Sequence, residues 1–105
     1  MKTLFRKHAD GEIVAIFPEE PGTPCKCWAA AYTKSGGFFT CDPATVVANT
    51  SPASEFEAKL LAKHLLDEHE IETEKVAKVL KGHAVTRRET DESAHRKFGA
   101  LRFQA

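Results

Sequence analysis

The sequence predicts an α+β fold. It reads as an antiparallel sheet of three or four strands with one long helix packed across a face, plus a C-terminal extension carrying a helix and a possible edge strand. Three observations carry that expectation. Two apolar-rich runs, Thr3–His8 and Glu12–Phe17, flank Ala9-Asp10-Gly11. The stretch Ser54–His69 repeats its leucines at helical spacing. Between these segments the apolar pieces are short and punctuated by proline and glycine, which suits strands.

The first hairpin is read from its turn. Asp can hydrogen-bond its own backbone and Gly adopts positive φ without steric cost, so Asp-Gly between two strand-like runs closes a hairpin. Ile13, Ala15 and Phe17 then share one face of the second strand, and Val14 and Ile16 the other. A strand apolar on both faces needs cover on both. Pro18–Pro24, with three prolines and Gly22, is expected to be a loop. Cys27–Tyr32 follows as a third strand, with Cys27, Ala29 and Ala31 on one side and Trp28, Ala30 and Tyr32 on the other. Lys34-Ser35-Gly36-Gly37 is a turn. Of the short pieces Phe38–Cys41 and Thr45–Ala48, parted by Asp42-Pro43, at least one is expected to be a further strand.

Ser54 and Glu57 match a capping box, in which a hydroxyl and a carboxylate each satisfy a free amide at a helix start. Leu60, Leu61 and Leu65, widened by Ala58 and Ala62, form the expected buried stripe, with Lys59, Lys63 and Asp67 opposite. Thr73 fits the cap of a second helix, Glu74–Lys81, stopped by Gly82, although its Val and Leu content suits a strand equally. Ala94, Phe98 and Leu101 fall in helical register near the end. With 105 residues, the chain is expected to form a single domain, 1–105, of which 71–105 is an extension of the core.

Net charge is zero, with 15 basic and 15 acidic side chains, so no long-range field draws the whole molecule to nucleic acid or membrane. After Glu70, however, eight basic residues face five acidic ones. The longest early apolar run, Ile13–Phe17, is too short to span a bilayer. Arg6, Lys7 and His8 stand where a signal peptide needs an apolar core. Three cysteines, an odd number, fit a reducing compartment. A cytoplasmic protein without membrane contact is the expectation.

The segments FRKHADGEIVAIFPEEP (Phe5–Pro21), Cys41-Asp42-Pro43-Ala44 and TSPASEFE (Thr50–Glu57) resemble a family of small uncharacterised proteins of phages and of bacterial genomes carrying mobile elements. The resemblance covers Leu4–Leu65. Ser54 stands where members usually have Thr, which keeps the cap, and Ala58 where they usually have an aromatic. It implies a sheet plus one helix, and no catalytic residues.

No phosphate-cradling glycine loop, paired carboxylates, metalloprotease helix or triad order is visible, and no cofactor is implied. Cys25-x-Cys27 with Cys41, and a fourth ligand from His8, His64, His69, His83 or His95, is the nearest approach to a zinc set. It lacks the second close pair that structural zinc recruits, so buried cysteines behaving as small hydrophobes are the plainer reading. Cys41 as a thiol nucleophile lacks a local base and oxyanion motif. His64, four residues before Glu68, reads as a half-buried histidine held by a carboxylate. His64 and His69, five apart, do not share a helix face as paired ligands should. Arg87, Arg88, Arg96 and Lys97, with Phe98 and Phe103 interleaved, outline a small basic patch diluted by Glu89, Asp91 and Glu92. Trp28 and Tyr32 are either core or an exposed aromatic patch. The leading expectation is a small non-enzymatic protein that binds another protein, host or self. The alternative is a nucleic-acid-associated regulator using the basic C-terminal third, and a zinc- or thiol-dependent activity at Cys25, Cys27 and Cys41 is the remotest.

Overall fold

The turn at Ala9-Asp10-Gly11 sets the register from which the sheet grows. Gly11 N–H donates to the His8 carbonyl at 3.0 Å, Gly11 takes φ 95°, and His8 N–H donates to the Glu12 carbonyl at 2.9 Å. The Asp10 carboxylate accepts from Glu12 N–H at 2.9 Å. This is a three-residue hairpin loop whose last position needs a left-handed residue. It joins β1 (Lys2–Lys7) to β2 (Ile13–Pro21), with Leu4 opposite Ile16 and Lys7 opposite Ile13.

A computed structural model describes residues 1–22 and 28–78. Within them the sheet continues through β3 (Ala29–Thr33) and β4 (Gly37–Cys41), with the turn 34–36 between, in the antiparallel order β4-β3-β2-β1. Two two-residue strands, β5 (Ser51–Pro52) and β6 (Glu74–Lys75), share the outer edge of β1. The four main strands are those expected, β6 is the edge strand considered for the extension and the one parallel member, and β5 brings the described sheet to six strands. No helix among the described residues is long and apolar enough to cross a membrane.

Two boundaries differ from expectation near the first prolines. β2 does not stop at Phe17 but runs to Pro21, because the register with β3 jumps from Phe17–Ala30 to Pro21–Ala29. Pro18, Glu19 and Glu20 take up this register shift, an irregularity at which proline is tolerated within a strand. β3 starts at Ala29, and Trp28 precedes it. Gly22 lies so close to β3 and β4 that a Cβ there would sit 3.0 Å from the Ala29 carbonyl oxygen and 3.0 Å from Thr40 Cβ. Its N–H donates to the Trp28 carbonyl at 2.9 Å.

Of the two short pieces after the turn, Phe38–Cys41 lies in β4, whereas Thr45–Ala48 lies in a helix, α1 (Pro43–Ala48). Asp42 caps it, accepting from Ala44 N–H at 3.2 Å and from the Thr45 hydroxyl at 3.0 Å, with proline at the first helical position. Arg6 closes the other end. Its guanidinium donates to the Val47 carbonyl and to the Thr50 hydroxyl, each at 3.0 Å. A half-buried arginine on β1 thus ties α1 to the sheet.

The long helix, α2 (Glu55–His69), begins as expected: Glu57 N–H donates to Ser54 Oγ at 3.1 Å, and Ser54 N–H to the Glu57 carboxylate at 3.0 Å. Ala58, Leu61 and Leu65 are its buried residues, but Leu60 is 56% exposed. At about 100° per residue Leu60 points well away from the line joining Ala58, Leu61 and Leu65. The helix ends on Glu70, left-handed at φ 56°, which turns the chain so that Ile71 N–H reaches the Leu65 carbonyl at 3.2 Å.

The apolar interior is split by the sheet. On the α2 side lie Phe5, Ala15, Phe17, Ala30 and Tyr32 with Ala58, Leu61 and Leu65. On the α1 side lie Leu4, Val14, Ile16, Ala29, Ala31 and Cys41, with Val46, Val47 and Val76 packed against them. β2 is covered on both faces, and Val14, Ala15 and Ile16 are fully buried. The helix considered for Glu74–Lys81 does not form at its start. Glu74 and Lys75 pair with Lys2 and Thr3 instead, with Glu74 N–H on the Met1 carbonyl at 2.8 Å and Val76 N–H on the Thr3 carbonyl at 2.9 Å. A waiting strand edge and a core site for Val76 outweigh the weak propensity of so short a helix. The proposed helical turn through Ala94, Phe98 and Leu101 lies outside the described residues.

Candidate functional site

Polar chemistry concentrates where β3 and β4 meet the last two turns of α2. Of the three alanines that precede Tyr32 in β3, Ala30 faces α2, and so small a side chain lets the helix approach the sheet closely. Tyr32 shares the face of Phe5, Ala15 and Phe17 by strand alternation, so its ring enters the α2-side core and is 4% exposed. Its hydroxyl emerges among histidines. Tyr32 Oη lies 2.7 Å from His64 Nε2 and 3.1 Å from His69 Nε2. A phenol has one proton to give, so one ring accepts it and the other donates its own N–H.

Phe38, directly across the strand pair from Tyr32, completes the cluster. Its ring centroid is 4.8 Å from that of Tyr32 and 5.0 Å from that of His69, the latter edge-on at 75°. The Tyr32 and His69 rings are also edge-on, 5.1 Å apart. Burial raises the Tyr32 pKa from 10.0, and the negative charge of Glu68 raises it further. The phenol is therefore held neutral. His64 takes the Tyr32 hydroxyl, not the Glu68 carboxylate expected from sequence, as its hydrogen-bond partner. His64 and His69, expected to diverge, meet at one oxygen instead, because Tyr32 stands between their helix faces and His69 occupies the last helical position.

His64 also borders a cleft of about 320 Å³ between α2 and the hairpin tip. Ile13, Leu60 and Leu61 supply apolar wall, and Glu12, Lys34 and Glu57 polar rim. Glu57 is committed to structure. Hydrogen bonds from the Ser54 backbone, from Lys7 and from the Ser54 side chain lower its pKa from 4.5 to about 2. Lys7 Nζ sits 3.0 Å from its carboxylate. Glu12 accepts a hydrogen bond from the Ser35 hydroxyl. Beyond the cleft, Phe56 and Leu60 stand one turn apart on the outer side of α2, 70% and 56% exposed. A broader hollow of about 510 Å³ lies between the hairpin tip and α1, bordered by His8, Asp10 and Asn49.

Trp28 and Tyr32 do not form the joint aromatic patch considered from sequence. Trp28 is 38% exposed at the start of β3, while Tyr32 is core at its far end. Arg87, Arg88, Arg96 and Lys97 lie outside the described residues, as do Cys25 and Cys27. Cys41 is buried in the α1-side core. Among the described residues, no three of His, Cys, Asp and Glu stand close enough to hold a metal ion. Sequence reading considered His69 only as a metal ligand and Phe38 only as an aromatic near Trp28, and did not bring either to Tyr32. The signal was the parity of Tyr32, which places it under the helix, and not the histidine spacing.

Fold and site together define a small α+β domain with an open sheet, one main covering helix and a tyrosine–histidine cluster at that helix's end. Compared with family models, curated proteins and solved structures, the chain shows no significant match to any.

Proposed function

We propose that this is a small non-enzymatic protein of the cytoplasm that acts by binding another protein. The reading rests on the apolar ridge of Phe56 and Leu60 on the outward side of α2, beside the cleft with apolar walls. Fully burying a side chain of this size is worth about 1.5–3 kcal/mol, so two neighbours at one spot are a strong anchor for a partner's apolar side chain. Glu12, Glu57 and Lys34 around the cleft supply a polar rim, the arrangement usual at protein interfaces. The resemblance of Leu4–Leu65 to phage and mobile-element proteins suggests that the partner is a host protein or a second copy of the chain.

The test compares the protein with the double variant Phe56→Ser, Leu60→Ser, both positions being exposed enough to leave the fold intact. Sedimentation gives self-association, and capture from a bacterial lysate followed by a binding titration gives a host partner. Loss of the partner in the double variant, with helicity retained, supports the reading. Equal binding by both proteins, or turnover of a substrate at the cleft, defeats it.

A further inference from the structure

We propose that the outer edge of β4 is an interface on which a second copy of this chain pairs, strand to strand, in an isologous dimer. The two edges of the sheet differ. Along β1, the carbonyls of Met1, Thr3 and Phe5 accept N–H groups from Glu74, Val76 and Ala53 at 2.8, 2.9 and 3.3 Å, so that edge is occupied by its own chain. β4 lies at the other end of the strand order. Among the described residues, no backbone hydrogen bond of Phe38, Phe39 or Thr40 leads to any element but β3. An edge strand directs alternate N–H and C=O groups outward, and proteins usually guard it with charge, proline or a bulge. Gly37–Cys41 carries no charged residue and no proline, and its register with β3 is unbroken.

A second copy is the occupant this strand fits. With the β1 edge taken, head-to-tail stacking has no second edge to use, so β4 meets β4 about a two-fold axis and the assembly closes. An antiparallel pair centred on Phe39, the middle residue, sets Phe39 opposite Phe39 and Phe38 opposite Thr40 of the second copy. The first is an aromatic pair on the α1 side. The second sets an aromatic against a β-branched residue on the α2 side, and both are favourable cross-strand combinations. Charge agrees with this register. One step beyond the strand, Gly36 faces Asp42 of the second copy, which brings Lys34 of the turn towards that carboxylate at both ends of the ribbon. Neither Lys34 nor Asp42 enters an ion pair among the described residues, and Lys34 is exposed. Pairing also covers part of Phe38, which is 42% exposed. The Phe56–Leu60 ridge belongs to a different surface, the outward side of α2, so this inference does not rest on it.

Sedimentation equilibrium of the full chain tests this. The expected result is a concentration-dependent equilibrium of monomer and dimer with no larger species. Phe39→Lys and Phe39→Glu each set like charges opposite one another at the two-fold axis, and each should raise the dimer dissociation constant at least roughly tenfold. An equal mixture of the two should restore dimers, a result specific to Phe39 facing Phe39. Circular dichroism reports whether each variant folds. Should either Phe39 variant unfold, Phe38→Lys, at an exposed position, takes its place, with loss of the dimer expected. The double variant Phe56→Ser, Leu60→Ser should dimerise as the unaltered protein does, which separates this edge from the α2 ridge. A chain that stays monomeric at every concentration overturns the proposal. So does a dimer that withstands the folded β4 variants, one that the α2 double variant abolishes, or an open-ended polymer.

Discussion

At its N-terminal end α2 is closed by two residues three apart, Ser54 and Glu57, each satisfying the other's backbone N–H. At its C-terminal end the same helix is closed by a left-handed glutamate, an N–H returned from Ile71, and an imidazole resting on a tyrosine from β3. The first closure is local and uses residues chosen for it. The second borrows from the sheet and accepts a strained backbone where glycine is usual. At the locally complete end the carboxylate of Glu57 is committed to the cap, while the end that depends on tertiary contacts is where imidazoles and a phenol gather. Local sufficiency and the gathering of titratable rings lie at opposite ends of one helix.

The contrast can be broken most severely between the two ends. Leu65, fully buried one turn before the C-terminus, anchors the borrowed closure. Leu65→Ala should cost about 2–5 kcal/mol, read by chemical denaturation, and should broaden the His64 and His69 resonances with it. At the local end, Ser54→Ala should cost about 1 kcal/mol without disturbing those resonances.

Acid probes the same local end. The Glu57 pKa is lowered to about 2 in the folded state, so its ionised form favours folding. That contribution is complete above the ordinary carboxylate pKa of 4.5 and fades as pH falls towards 2. A stability–pH profile should flatten over this window in Glu57→Gln. Glu70→Gly sharpens the comparison in the opposite direction. Relieving φ 56° should stabilise the protein by about 0.5–1 kcal/mol, although glycine is normally the poorer residue. An unchanged or lower melting temperature would mean that Glu70 is held there by something other than the turn. The smallest effect is spectroscopic: titration of the one tyrosine should give a midpoint above 10.0, and Glu68→Gln should bring it part of the way down.

Much of the fold was legible because its signals are short in range. Asp10-Gly11, Ser54 with Glu57, and the alternation through Ile13–Phe17 each act over a few residues, and each appears as read. What the sequence left open or misread shares a cause. Thr45–Ala48 is apolar enough for a strand, and only the Asp42-Pro43 start makes it helical. Leu60 belongs to the leucine run but falls off the buried line. Glu74–Lys75, left open between helix and strand, pairs with the edge of β1, a choice that local pattern cannot make. Of the site, sequence offered Tyr32, His64 and His69 separately, with Trp28 as a false neighbour.

By itself the sequence determined which stretches bend, which alternate and where the long helix begins, because those outcomes depend on backbone sterics and hydrogen bonds between near neighbours. Tertiary structure alone decided that His64 and His69, facing different ways on their helix, should meet at the hydroxyl of a tyrosine more than thirty positions earlier in the chain. That meeting depends on how closely Ala15 and Ala30 let α2 approach the sheet and on which side of it Tyr32 projects, quantities set by tertiary packing.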